Sequence, residues 1–236
     1  MAFNFQTFKT RALTALLFVA VMLVGLLWNF WSFVVLFTVI HFGCWYEFVK
    51  LMKKIYAEKY LGYCLLGLIY ITMPILMMIT LGIEWEIFTV NNTNEFIYNS
   101  IIPCGIIFSI WINDTMAYLV GSFVGKTPLT KISPKKTVEG TLGGIVLCVL
   151  VIGFIYPILV EAIAGVKVGP IQWFIIPALC AIFGTLGDLF ESKLKRMADV
   201  KDSGSFMPGH GGFLDRFDSL LFAVPAVWVY VQLFLK

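Results

Sequence analysis

The sequence predicts an all-α fold, a polytopic transmembrane helical bundle of about seven spans (six to eight) with a cytoplasmic N-terminus. Three observations predict it. Hydrophobic residues make up 60% of the 236 and charged residues only 13%, about half the charged share of an average soluble domain, and the mean hydropathy is +0.91. The apolar residues fall into stretches near 12–28, 30–49, 61–82, 100–122, 141–160, 171–190 and 216–235, each close to the roughly 20 residues that cross a bilayer core. With the N-terminus inside, fifteen of the seventeen Lys and Arg lie in cytoplasmic segments, as the positive-inside rule requires.

The first stretch follows Lys9 and Arg11 as a signal peptide would. It lacks an A-x-A-like cleavage site and a second apolar run follows at once, so it reads as a retained helix. Only Asn29 separates it from the second, which predicts a tight turn and an antiparallel pair, with one long kinked element as the alternative. The segment after 61–82 holds Glu84, Glu86 and Glu95 and no basic residue, as an outer loop should. Cys44, Cys64, Cys104, Cys148 and Cys180 are scattered, so they read as small buried apolar residues, not a zinc site or disulfide framework. The net charge of +3 is spread between apolar runs, which points to membrane orientation and not to nucleic acid. The chain reads as one integral membrane domain, 1–236, with apolar helices in 1–99 and a catalytic half in 100–236.

Function must come from polar residues that a span does not require. Asp114 lies inside an apolar run, and a carboxylate at that depth is costly enough to mark a functional site. Tyr118, Gly121 and Gly125 follow it at helical spacing. A plain ion pair between helices is the competing account of Asp114. Gly121 to Thr127 looks like a phosphate-binding loop but is one residue short and follows a membrane helix, so a P-loop is rejected. In Ser133-Pro134-Lys135-Lys136-Thr137-Val138-Glu139-Gly140, Ser133 suits an N-cap and Pro134 the first helical position. Lys135 and Lys136 would then flank a helix N-terminus that already favours an anion. Two further cytoplasmic lysines are the equal alternative. Gly140 and Gly144 form a G-x-x-x-G, read as close helix packing.

The densest polar stretch runs from Gly187 to Asp218. On a helix, Ser192 and Lys195 lie within about 40° of Asp188, so acid, hydroxyl and base share one face. Asp215 and Asp218, three apart at the head of the last span, share another. His210 stands among glycines whose backbone N–H groups could close on an oxyanion. One or two carboxylates plus substrate phosphates are the usual holders of Mg²⁺, so acids at span ends beside Lys and Arg suggest a metal–polyphosphate site.

From Ser192 to Asp218 the chain resembles the phosphatidate cytidylyltransferase (CDP-diacylglycerol synthase) family: S-x-x-K-R, then K-D, H-G-G and D-R-x-D, all in register. The run from Asp114 to Gly140 is similar to it as well, so the likeness covers the C-terminal half. Met207 stands where the family more often has Leu, Ile or Phe. The resemblance implies CTP and phosphatidic acid as substrates, drawn from the cytoplasm and the inner leaflet, and CDP-diacylglycerol and pyrophosphate as products. It implies Mg²⁺ on Asp188 and Asp215, with a second cation left open. Lys195, Arg196, Lys201, Arg216, Lys135, Lys136 and Ser192 would contact phosphate, His210 would hydrogen-bond or protonate pyrophosphate, and Asp218 would orient Arg216 or join the metal. A bacterial inner membrane, surrounding membrane lipid, a site facing the cytoplasm and a homodimer are further family-level expectations. A CTP-dependent lipid kinase and an anion transporter are the competing readings.

Overall fold

The computed structural model describes residues 5–83, 98–165, 169, 171–206 and 211–235, with side chains from residue 12 onward. Among them there is no strand. Five helices are long and apolar enough to cross a membrane, and two shorter apolar helices, Ala12–Leu27 and Leu68–Ile83, accompany them. The protein is therefore all-α and polytopic, and these helices fall on the seven apolar stretches. The chain forms two compact units, Met1–Thr72 with Leu194–Phe217, and Met73–Lys193 with Asp218–Lys236.

In the first unit, α1 (Phe5–Leu27) and α2 (Phe30–Tyr56) are separate helices. Asn29 caps α2 reciprocally: its Oδ1 accepts the Ser32 amide at 2.9 Å, and Ser32 Oγ accepts the Asn29 amide at 3.1 Å. This capping box satisfies two end donors and fixes the reversal. Gly25 then lies against Leu36, where a Cβ would stand 2.6 Å from Leu36 Cδ2. Helix α2 ends in Lys53 and Lys54, cations that suit the negative end of a helix dipole.

The apolar stretch 61–82 is not one regular helix. It divides into α3 (Tyr60–Cys64), a π-helical turn (Leu68–Thr72) and α4 (Met73–Ile83). Pro74 has no amide to offer the carbonyl one turn back, and a wider turn just before it relieves that loss. The hydroxyl of Thr72 meets Trp45 Nε1 at 2.9 Å and His41 Nε2 at 3.0 Å, so the irregular turn is tied to α2.

In the second unit, α5 (Ile101–Val124) and α6 (Val138–Ala164) pack along a stripe of small residues. A Cβ on Gly140 would lie 2.8 Å from Ala117 O and 2.9 Å from Gly121 Cα, and one on Gly144 would lie 2.7 Å from Ala117 Cβ. The G-x-x-x-G thus lets two backbones touch. At the other end Tyr156 donates to Ile101 O at 2.6 Å, and fully buried Trp173 of α7 (Gln172–Met197) packs on Gly105 and Tyr156. The last helix is α8 (Leu214–Phe234). Gly187 of α7 sits against Asp218 O of α8 with no room for a side chain. Four of the five cysteines are buried, and all five are free thiols.

Candidate active site

The polar residues form one cluster in each unit. In the first, the described residues between α7 and α8 are arranged around two carboxylates. Asp215, in the first turn of α8, accepts from Lys195 Nζ at 2.7 Å through Oδ1. Its Oδ2 accepts the Ser203 amide at 2.9 Å, the Ser203 hydroxyl at 2.9 Å and the Gly212 amide at 2.8 Å. Three of these donors are N–H groups and the fourth, the Ser203 hydroxyl, has one proton to share between Asp215 and Glu47, so Lys195, Ser203 and Gly212 are tied to one carboxylate.

The second carboxylate is Glu47 of α2, 3% exposed. It accepts the Ser203 hydroxyl at 2.6 Å, the Phe213 amide at 3.0 Å and the Leu214 amide at 2.9 Å. The latter two are donors at the start of α8, which have no partner within the helix and carry its positive end. Gly204 and Gly212 lie so close to Glu47 that a Cβ on either would overlap the carboxylate. Gly211 adopts φ +84°, a conformation open to glycine at little cost. The glycines that follow His210 are thus explained by turn shape and by Glu47. Arg196, Lys201 and Arg216 are exposed. His210 and Met207 lie outside the described residues.

In the second unit, Asp188 of α7 forms an ion pair with Lys136, both side chains partly exposed. Asp218 is buried, its Oδ1 accepting the Ser219 amide at 2.6 Å. Asp188, Glu191 and Asp114 all lie close enough to Asp218 to repel its charge. Glu191 is fully buried, whereas Asp114 is exposed on α5. Lys135 is exposed and Ser192 half-buried. Among the described residues, no three His, Cys, Asp or Glu side chains converge in metal-ligating geometry. A cation here would draw part of its shell from substrate phosphates, as Mg²⁺ ordinarily does. The hard oxygen donors nearest this description are Asp188, which carries Lys136 as its counter-charge, and buried Asp218.

The lysine loop is built differently from the sequence expectation. The helix N-cap is Thr137, whose Oγ1 accepts the Gly140 amide at 3.1 Å, so α6 begins at Val138 and not at Pro134. Ser133 and Pro134 sit in a turn closed by Lys136 N to Ser133 O at 3.1 Å. Thr137 prevails because its Oγ reaches the free amide three residues on, while Glu139 reaches back to the Lys126 and Thr127 amides at 3.1–3.2 Å. Lys136 thus comes one residue before the cap, held toward Asp188.

The chain from residue 71 to 234 matches the model of a family described as "Cytidylyltransferase family", a stretch covering well over half of it. The protein belongs to the cytidylyltransferase family. Every site residue expected from the sequence falls within that stretch. Among curated relatives of the cytidylyltransferases, a phosphatidate cytidylyltransferase of Bacillus subtilis is 48% identical over 126 residues, 53% of this chain and 45% of its own. Proteins of the same name from Thermotoga maritima and Aquifex aeolicus are 41% and 42% identical over 130 and 124 residues, covering 54% and 52% of this chain and 48% and 44% of theirs. The matched stretch spans under half the length of each relative.

Glu47 precedes the stretch shared with the family and was missed in the sequence. Its signal was present: an acid inside the apolar run 30–49, the same feature that singles out Asp114. It was masked by the lysines that follow at 50, 53 and 54, which made it look like part of a charged helix end.

Proposed function

We propose that the protein is a phosphatidate cytidylyltransferase, condensing CTP with phosphatidic acid to CDP-diacylglycerol and pyrophosphate in phospholipid synthesis. The observation that carries this reading is the 41–48% identity to relatives of that name. The arrangement of basic residues beside carboxylates supports it chemically. A phosphate monoester with a second pKa of about 6 is largely dianionic at neutral pH, so the nucleophile needs no base. Its oxygen attacks the α-phosphorus of CTP, the bond from that phosphorus to the bridging oxygen breaks, and pyrophosphate leaves with the electron pair. The demand on the protein is to hold two polyanions together.

Lys136 and Lys195 are each paired with an aspartate, Asp188 and Asp215, which fixes their ammonium groups until phosphate competes for them. We assign polyphosphate contacts to the exposed Lys135, Arg196, Lys201 and Arg216 and to the hydroxyl of Ser192. His210 is assigned a hydrogen bond to the leaving pyrophosphate. Mg²⁺, if bound, would supply positive charge that offsets the charge on the leaving pyrophosphate. Asp188, with one counter-charge, is the first ligand we assign to it. The distribution of Lys and Arg supports a site open to the cytoplasm, where CTP is found, and to the inner leaflet of a bacterial plasma membrane.

The test is to incubate the purified protein with Mg²⁺, phosphatidic acid and CTP labelled at the α- or the γ-phosphate. Label from α-CTP alone in the lipid extract is expected. Label from γ-CTP would mean a lipid kinase, and no label from either would defeat the proposal.

A further inference from the structure

We propose that a groove between α1 and α2 sheathes an acyl chain of the phosphatidate substrate, an inference that rests on the function proposed above. The groove has a volume of about 460 Å³ and lies wholly in the first unit. Of its twelve lining residues only Thr14 is polar. A space with such walls does not hold water, which needs polar partners, and α2 is long and apolar enough to lie in a bilayer. Hydrocarbon is the solvent there. The α1 wall runs from Leu13 to Met22, about 13 Å at 1.5 Å per residue, a length suited to an extended chain.

What distinguishes substrate from a passing lipid is the segment that forms the third wall of the groove. Phe206, Phe213 and Phe217 line the groove from the chain that carries Asp215: Phe213 sits on Gly43 of α2, and the Phe217 ring lies 6.0 Å from Phe18 of α1. Phe213 and Phe217 bracket Asp215, the partner of Lys195. Arg196, Lys201 and Arg216 are exposed in the same unit. An apolar sheath whose third wall comes from the same segment as these cations is complementary to a lipid with a small anionic head.

The test uses Leu17→Trp and Val39→Trp, groove positions that are 64% and 52% exposed and so accept a larger side chain without repacking a core. Initial rates are measured with dioleoyl and dihexanoyl phosphatidate. The long-chain KM divided by the short-chain KM is expected to rise roughly ten-fold, the effect of a clash of about 1.4 kcal/mol. Leu16→Trp and Val35→Trp, exposed on the same helices but outside the groove, keep the parent's ratio. Groove variants with the parent's ratio overturn the inference while leaving the enzymatic reading intact. If the parent forms no CDP-lipid at all, that reading fails instead. Phosphatidate carrying a diazirine at the end of one acyl chain then decides the groove directly. Cross-links within 13–22 or 36–40 support it, and cross-links confined to other segments overturn it.

Discussion

Replacing Glu47 by alanine removes the acceptor for the Phe213 and Leu214 amides and one of two acceptors for the Ser203 hydroxyl. The hydroxyl has a single proton and keeps Asp215 at 2.9 Å, so the loss falls on the two amides. At about 1.5 kcal/mol each for bonds to a charged group, the cost is roughly 3 kcal/mol before any cavity. Glutamine keeps the shape but turns an NH₂ toward one of the donors, so about half that cost is expected. For a protein of this length 1 kcal/mol corresponds to about 2–4 °C in Tm, which places Glu47→Ala roughly 6–12 °C below the parent and Glu47→Gln between them. The assay is thermal unfolding in detergent, followed by exposure of the buried cysteines to a thiol probe, with turnover measured alongside. Turnover should fall more steeply than stability, because Ser203, Gly212 and Asp215 lose their anchor together. An alanine variant with the parent's Tm and turnover would refute the argument that this carboxylate organises the loop.

Further substitutions test the other contacts. Asp188→Asn frees Lys136 and removes the first assigned ligand of the cation; turnover should drop at least 100-fold, or about 2.7 kcal/mol of transition-state stabilisation, with a raised Mg²⁺ requirement in a titration. Lys195→Met leaves the Asp215 charge with only neutral donors, and breaking such a pair costs about 3 kcal/mol, read as a lower unfolding temperature and lost activity. Gly144→Leu drives a side chain into Ala117 and should destabilise by about 3 kcal/mol, seen as reduced yield and early thermal unfolding. Thr137→Ala loses the cap of α6, about 1 kcal/mol, and should chiefly raise the KM for CTP by loosening Lys136.

The helices were largely legible because bilayer thickness fixes the length of an apolar run and little else can produce seven such runs. Legibility failed where backbone bonding, and not hydropathy, decides. Pro74 breaks a stretch that is uniformly apolar, and Thr137 takes the cap from Ser133 because Glu139 secures the loop behind it. The roles of the glycines were legible in part: Gly140 and Gly144 read as packing and pack, whereas Gly204 and Gly212 are small because of a carboxylate more than 150 residues away, which no local pattern reveals. The polar residues of the C-terminal half were all visible as charges out of place. Which partners they take was not, since Lys136 and Lys195 each had several acids within plausible reach.

The bond from Glu47 to Ser203 spans 156 residues, and that to Leu214 spans 167. On the ribosome α2 is therefore made, and threaded toward the membrane, long before the amides it will accept exist. Its carboxylate stays without these donors until α8 begins, and Ser203 and Gly212 cannot settle against their acceptors until that last helix arrives. Formation of these bonds is thus a late event that reports on the whole chain: a protein with α2 wrongly inserted would leave Ser203 without its Glu47 acceptor, and an unfinished one would leave Glu47 without the Phe213 and Leu214 amides.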